Sequence, residues 1–243
     1  MPSAEDFEET LRLARQLLEP SWKAYTDFLK LRGQGLRQPA LRSLETFVTT
    51  AQTWNFDERW GFAEALLSHL QSRPLLRLAL PEPLVKGILR PTLKEALTRF
   101  LTDPRPAYWL GHEGIFAWEA EAGDHQQLAW MREALRRDTD FQPARDLFVS
   151  LLLYSIFWGQ HELPAGYLGQ PSEDIQALQE GREVLSKLDF STRRQQLTQD
   201  LEDAEKTARQ YLRFQKSGAA FYRFWCDENG LPYRYGTPAS PAY

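Results

Sequence analysis

The sequence lacks the features of secreted and membrane-spanning proteins. Cys226 is the only cysteine, and a single thiol cannot form an intramolecular disulfide, which favours a reducing compartment. The longest uncharged apolar stretch, Leu147 to Trp158, falls short of the ~20 residues that a membrane-spanning helix needs. The opening MPSAEDFEET is acidic and polar, so we expect no signal peptide. These absences predict a cytoplasmic protein without a membrane segment.

Signals for β-structure are also missing. The sequence shows no sustained apolar–polar alternation, and its Asn-Gly pair, Asn229-Gly230, follows the last long helical pattern instead of joining two strands. Apolar residues recur instead at steps of three and four along most of the chain. This spacing predicts an all-α fold of stacked antiparallel helical hairpins.

The C-terminal half predicts the longest helix of the chain. Its apolar seam steps by four and three through Leu197, Leu201, Ala204, Ala208 and Tyr211. Such a seam fits either a coiled coil or a terminal helix lying across the domain, and we expect the terminal helix because the pattern is short. The sequence predicts one helical domain over residues 1–226, with a candidate subdivision near 103–106, and an extended tail over 227–243.

Few residues suggest catalysis. No phosphate-binding glycine loop, nucleophile elbow or dinucleotide fingerprint is present. The histidine–carboxylate pairs are His112-Glu113 and His161-Glu162, and neither belongs to a pair of histidines at i and i+4 on one helix face, as a zinc protease requires. We therefore expect no metal and no cofactor. The alternative is an unfamiliar enzyme in which these two pairs converge beside Tyr167.

The loop His161 to Pro171 is a candidate binding site. It combines glycines, prolines and Tyr167 within eleven residues, and ordered loops on rigid scaffolds often carry function. In the alternative interpretation it is a long crossover whose Leu163, Tyr167 and Leu168 fill the core.

A second candidate binding site lies in residues 73–105, where basic residues outnumber acidic ones. Arg90 and Lys94 are one helical turn apart, and Pro91 predicts a break in the helix between them. The stretch could contact an acidic partner, and the alternative is a solvated face. The net charge of the whole chain, −4, disfavours nucleic acid and anionic membranes as partners.

The window Trp118 to Ala144 resembles a tetratricopeptide unit, in which two helices pair over 34 residues. Trp118 stands where the family often has a tyrosine, Gly123-Asp124 matches the turn between the helices, and Ala134 takes the small position of the second helix. Asp138 to Asp140 occupies the place of the usual proline. The resemblance implies an irregular helical repeat that binds a partner protein or peptide on a concave surface, without a cofactor.

Our leading hypothesis is therefore a helical scaffold that binds a protein or peptide of unknown identity. A further alternative is an inhibitory, immunity-type protein that neutralises its target through the acidic helix Thr192 to Arg209. In that case Asp200 and Asp203 would face the target.

Overall fold

A computed structural model describes residues 4–17, 19–71, 79–112, 115 and 124–236. In this part of the chain every regular element is helical, which confirms the all-α prediction. The backbone groups into two compact units, residues 1–123 and 124–242, each described below by itself. The division follows Gly123, whereas the sequence suggested a subdivision near 103–106. None of the described helices combines the length and apolarity that crossing a bilayer requires.

The first unit is a layered set of short helices. In chain order they are α1 (Ala4–Gln16), a 3₁₀ turn (Pro20–Trp22), α2 (Lys23–Gly33), α3 (Arg37–Ala51), α4 (Phe56–Gln71), α5 (Glu82–Leu84), a π-helical turn (Val85–Leu89), α6 (Arg90–Arg99) and α7 (Arg105–Gly111). The buried Tyr25 ring packs against Phe47 and Phe62 at centroid distances of 5.3 and 5.1 Å. Its hydroxyl donates to the Ala79 carbonyl at 2.7 Å, so the phenol is satisfied within an aromatic core.

The predicted break at Pro91 is wrong. Pro91 is the second residue of α6, and the helical path runs from Glu82 to Arg99 without interruption. The preceding turn is π-helical, and the Arg90 N–H donates to the Val85 carbonyl five residues back. The wider turn accommodates a residue that lacks an N–H and would otherwise crowd the carbonyl four residues before it. Arg90 and Lys94 therefore share one continuous helix.

The last helix of the first unit that lies within the described residues is short. Helix α7 ends at Gly111, and His112 is extended, with φ −73° and ψ 136°. The first helix of the predicted tetratricopeptide unit therefore falls in a region where only Ile115 is among the described residues. The second predicted helix is present from Asp124.

The second unit is built from longer helices. They are α8 (Asp124–Arg137), α9 (Gln142–Gln160), α10 (Pro171–Ser186), α11 (Thr192–Ser217) and α12 (Tyr222–Glu228). With 26 residues, α11 is the longest described helix, as the sequence predicts. Its seam residues Leu197, Leu201, Ala204 and Ala208 are buried, and α11 packs mainly on α10 and also on α9. The seam is thus used within the unit.

Gly181 lets α10 approach its neighbours closely. A Cβ atom placed on it would lie 2.8 Å from Leu152 Cδ2 and 3.2 Å from Leu201 Cδ2, and both leucines are buried. We expect Gly181→Val to lower the free energy of unfolding by about 1–3 kcal/mol through overpacking. Urea unfolding would measure this loss. Gly61→Val in α4 is the matched control, since a Cβ there meets nothing within 4 Å, and equal losses in both variants would contradict the packing argument.

Arginine side chains fasten the turn between α10 and α11. The Arg145 guanidinium, 3% exposed, donates to the carbonyls of Lys187 and Thr139 and pairs with Asp140 at 2.7 Å. From the other side of the turn, Arg194 donates to the Leu188 carbonyl at 2.7 Å and to the Ser186 carbonyl at 3.2 Å. Backbone acceptors that no helix satisfies thus obtain charged donors.

The segment after α12 folds back onto α11. Gln210 donates to the Pro232 carbonyl at 2.6 Å, and the Tyr235 N–H donates to Thr207 Oγ1 at 2.9 Å. Tyr222 donates to the Tyr233 carbonyl at 2.8 Å. The predicted tail is therefore docked as far as residue 236, the last that the structure describes.

Candidate functional site

The end of α9 presents stacked aromatic rings to solvent. Tyr154 and Trp158 are one turn apart, with ring centroids separated by 6.5 Å and planes inclined by 22°. The His161 ring stacks on Trp158 at 4.4 Å and 15°. Trp158 is 58% exposed, which is unusual for so large an apolar side chain. With the exposed Leu168, whose N–H donates to the Gly159 carbonyl at 2.7 Å, these residues form what we term the aromatic face.

His161 is held in this stack by both of its ring nitrogens. Nδ1 lies 2.5 Å from the Trp158 carbonyl oxygen, and Nε2 lies 2.8 Å from Glu162 Oε1. The predicted His161-Glu162 pair therefore exists as a contact. Its role in the structure is to fix the imidazole against the indole.

The inner side of the loop is anchored in the unit. Leu163 is buried in a cluster with Tyr222, Trp225 and Cys226. The Tyr167 hydroxyl donates to Asp174 Oδ2 at 2.5 Å and accepts from Gln160 Nε2 at 3.0 Å. Leu163 and Tyr167 thus fill the core as the alternative interpretation predicts, whereas Leu168 points to solvent.

Burial shapes the acid–base properties of this anchor. Burial, and then the hydrogen bond to Asp174, raise the pKa of Tyr167 well above its ordinary value. Burial also raises the pKa of the Asp174 carboxyl, although the Tyr167 hydrogen bond opposes that shift. The Tyr167 hydroxyl therefore stays protonated. Because it also has both a donor and an acceptor partner, it serves to hold the loop on α10.

The other predicted site residues lie in the first unit. Burial lowers the pKa of His112 to about 4, and its Nδ1 has no hydrogen-bond partner. Glu113 lies outside the described residues. Arg90 is half-buried, and Lys94 is exposed on the next turn of α6. The two histidine–carboxylate pairs thus belong to different units.

A charged groove runs along α8 and α10. It encloses about 530 Å³ and is lined by Arg132, Glu173, Gln176, Ala177, Gln179, Glu180 and Glu183. Both guanidinium branches of Arg132 bind Glu180, each at 2.8 Å. None of the described residues that line it is aromatic, so this groove is separate from the aromatic face.

The acidic helix is largely engaged within its own unit. Asp200 is buried and accepts from Gln196 at 2.8 Å. Glu205 pairs with Arg182 and Arg209, and Asp203 lies against Gly236 of the docked segment. Asp200 is therefore not available to a target, Asp203 is only half-exposed, and Glu202 between them is exposed.

Sequence reasoning missed Tyr154 and Trp158. Both lie in the apolar run Leu147 to Trp158, which was considered only as a membrane segment. Their spacing of four residues, on the side of the run opposite to Leu152 and Ile156, was the available signal. Asp174 was also missed, because nothing in the local sequence marks it as the hydrogen-bond partner of Tyr167.

Comparisons with known proteins assign no family. No family model matches the chain, and neither a curated protein nor a solved structure matches it. Within the described residues, no group of three or more His, Cys, Asp or Glu side chains could hold a metal ion. The site is therefore interpreted from its own geometry.

Proposed function

We propose that this protein is a helical scaffold that binds a protein or peptide, and that the aromatic face of the second unit is its binding surface. One observation carries the proposal: Trp158 is 58% exposed, yet its ring stacks with the rings of Tyr154 and His161. Exposed apolar surface on an ordered element is the usual property of an interaction site.

The energetics of association favour such a surface. Tryptophan and tyrosine are the residues most enriched at binding hot spots. Because the Trp158 ring is already held between its neighbours, it loses little conformational freedom when a partner covers it. The loop also loses little conformational freedom on binding, because Tyr167 and Leu163 already fix the backbone that carries Leu168 and His161. A partner with apolar side chains, such as a short amphipathic or proline-containing segment, would complement this face.

The broader setting of the proposal comes from the sequence. The described part of the window that resembles a tetratricopeptide unit is α8 and the first residues of α9, up to Ala144, and repeats of that type bind partners. Cys226 is free and buried, which supports a cytoplasmic location.

We expect Trp158→Ala to weaken partner binding at least about tenfold, as for a central hot-spot residue. The tagged full chain would be used for affinity capture from extract of its own cells, and the affinity for the captured partner would then be measured with purified protein. Phe190→Ala is the matched control, because Phe190 is 78% exposed in the same unit and lies outside the aromatic face.

The result distinguishes the candidate functions. A partner that binds wild type and Phe190→Ala equally, but not Trp158→Ala, supports the proposal. A partner that binds Trp158→Ala normally but is lost on charge reversal at Glu202 would favour the inhibitory protein. Capture of no protein, together with binding of a small molecule that depends on His161, would favour the enzyme.

A further inference from the structure

The turn between α11 and α12 exposes two phenylalanines beside small apolar residues. Phe221 and Phe224 are 65% and 62% exposed, and their rings contact edge to face at 5.9 Å. They follow Gly218-Ala219-Ala220, which is also exposed. Gly218 ends α11 in the left-handed region, with φ 73°, as a helix-terminating glycine commonly does. The turn thus carries an apolar knob with no polar side chain between residues 218 and 221.

The turn rests on a rigid base. On the opposite side of α12, Tyr222 and Trp225 are buried and pack against Phe214 of α11, with ring centroids 5.3 and 6.1 Å apart. Gln210 donates to the Tyr222 hydroxyl at 2.7 Å. Phe221 and Phe224 therefore remain outside because α12 has a separate buried face, and their exposure does not arise from a loosely packed helix.

The charge of this region is opposite to that of the whole chain. From residue 206 to 226 the sequence contains no acidic residue, and it contains Lys206, Arg209, Arg213, Lys216 and Arg223. The three nearest the turn, Arg213, Lys216 and Arg223, are exposed. Within the described part of the chain, none of these three has a carboxylate within ion-pair distance. Asp227 and Glu228 follow at the far end of α12, so the excess of positive charge is confined to residues 206–226 on the side of the turn.

We propose that residues 213–224, termed the phenylalanine turn, dock on the surface of an anionic phospholipid bilayer. The two rings would enter the boundary between headgroups and acyl chains, and the three cations would attract the negative lipids around them. This surface is separate from the aromatic face and goes beyond the proposed function. It needs no spanning helix.

A bilayer fits the observations better than a soluble polyanion. Nucleic acids and acidic peptides would use the cations, but they offer no apolar phase for two exposed phenyl rings. An interfacial site needs the combination that is present, an apolar tip flanked by unpaired cations.

The test is sedimentation of the full chain with vesicles of phosphatidylcholine and phosphatidylserine, compared with vesicles of phosphatidylcholine alone. We expect binding to the anionic vesicles that weakens as salt is added. Combining Phe221→Ser with Phe224→Ser should lower the partition coefficient at least about tenfold, and Lys216→Gln about fivefold. The matched controls Phe190→Ser and Lys30→Gln, also at exposed positions, should bind as wild type does.

Several results would overturn the proposal. Among them are no binding to anionic vesicles, equal binding to both vesicle types, and undiminished binding of the double phenylalanine variant. Binding of polyglutamate or single-stranded RNA in place of vesicles would assign the turn to a polyanion instead. Circular dichroism of each variant confirms that lost binding is not lost folding. Trp158→Ala should leave vesicle binding unchanged, which separates this proposal from the proposed function.

Discussion

Replacing Arg145 with methionine is expected to lower the free energy of unfolding by about 3 kcal/mol. The guanidinium is 3% exposed and gives charged donors to the carbonyls of Lys187 and Thr139. Methionine has a similar length but no donor, so the Thr139 carbonyl and Asp140 lose this partner, and the Lys187 carbonyl keeps only the long hydrogen bond from Gln142 at 3.4 Å. Urea unfolding followed by circular dichroism would measure the loss.

Two variants separate the hydrogen-bonding role of Arg145 from its charge. Arg145→Lys keeps the charge but cannot present the planar fork that reaches acceptors on different segments, so most of the loss should remain. Arg136→Met removes an exposed arginine that pairs with Glu133, and we expect a much smaller loss, because solvent screens an exposed ion pair. A loss in Arg145→Met no larger than that in Arg136→Met would show that Arg145 does not fasten the turn.

Acidification from pH 7 to pH 4 is expected to cost about 3 kcal/mol of stability through His112 alone. Burial lowers the pKa of this histidine from 6.5 to about 4 in the folded protein. Above pH 6.5 both the folded and the unfolded chain hold it neutral, so it contributes nothing. Between pH 6.5 and 4 mainly the unfolded chain binds the proton, which favours unfolding as the pH falls. Below pH 4 both states are protonated and the loss stays constant.

The measurement is the difference between wild type and His112→Leu in urea unfolding across this pH range. Carboxylates also titrate there, and taking the difference removes their common contribution. We expect wild type to lose about 2 kcal/mol more than the variant by pH 5. His161→Asn is the matched control, since His161 is partly exposed in the aromatic face. Parallel pH profiles for wild type and His112→Leu would contradict a buried, neutral His112.

The fold class and the long helix were predictable because both depend on local periodicity. The apolar residues from Leu197 to Ala208 recur at steps of three and four, and this spacing alone predicts a long helix and the side of α11 that is buried. The break predicted at Pro91 was wrong because the expectation that proline breaks a helix assumes an α-helical hydrogen-bond pattern. The π-helical turn at Val85–Leu89 changes that pattern before the proline is reached, and such a turn has no reliable sequence signature.

The candidate site was only partly predictable. The glycines, prolines and Tyr167 of the loop that begins at His161 predict a candidate site. The local sequence does not predict that the hydroxyl of Tyr167 binds Asp174. Tyr154 and Trp158 were hidden by their apolar neighbours, since hydrophobic character alone does not state which side of a helix remains uncovered. Exposure depends on what packs against the helix, and that depends on the tertiary structure.

The turn between α10 and α11 has a consequence for the conditions in which this protein can work. Arg194 donates to the carbonyls of Leu188 and Ser186, and those acceptors carry no titratable proton. Ordinary surface ion pairs weaken in salt and fail when their carboxylates are protonated. A hydrogen bond from arginine to a backbone carbonyl has no carboxylate that could be protonated, and its acceptor carries no net charge for salt to screen. The bonds of this turn to backbone oxygen therefore remain when carboxylates are protonated, whereas the Arg145–Asp140 pair does not.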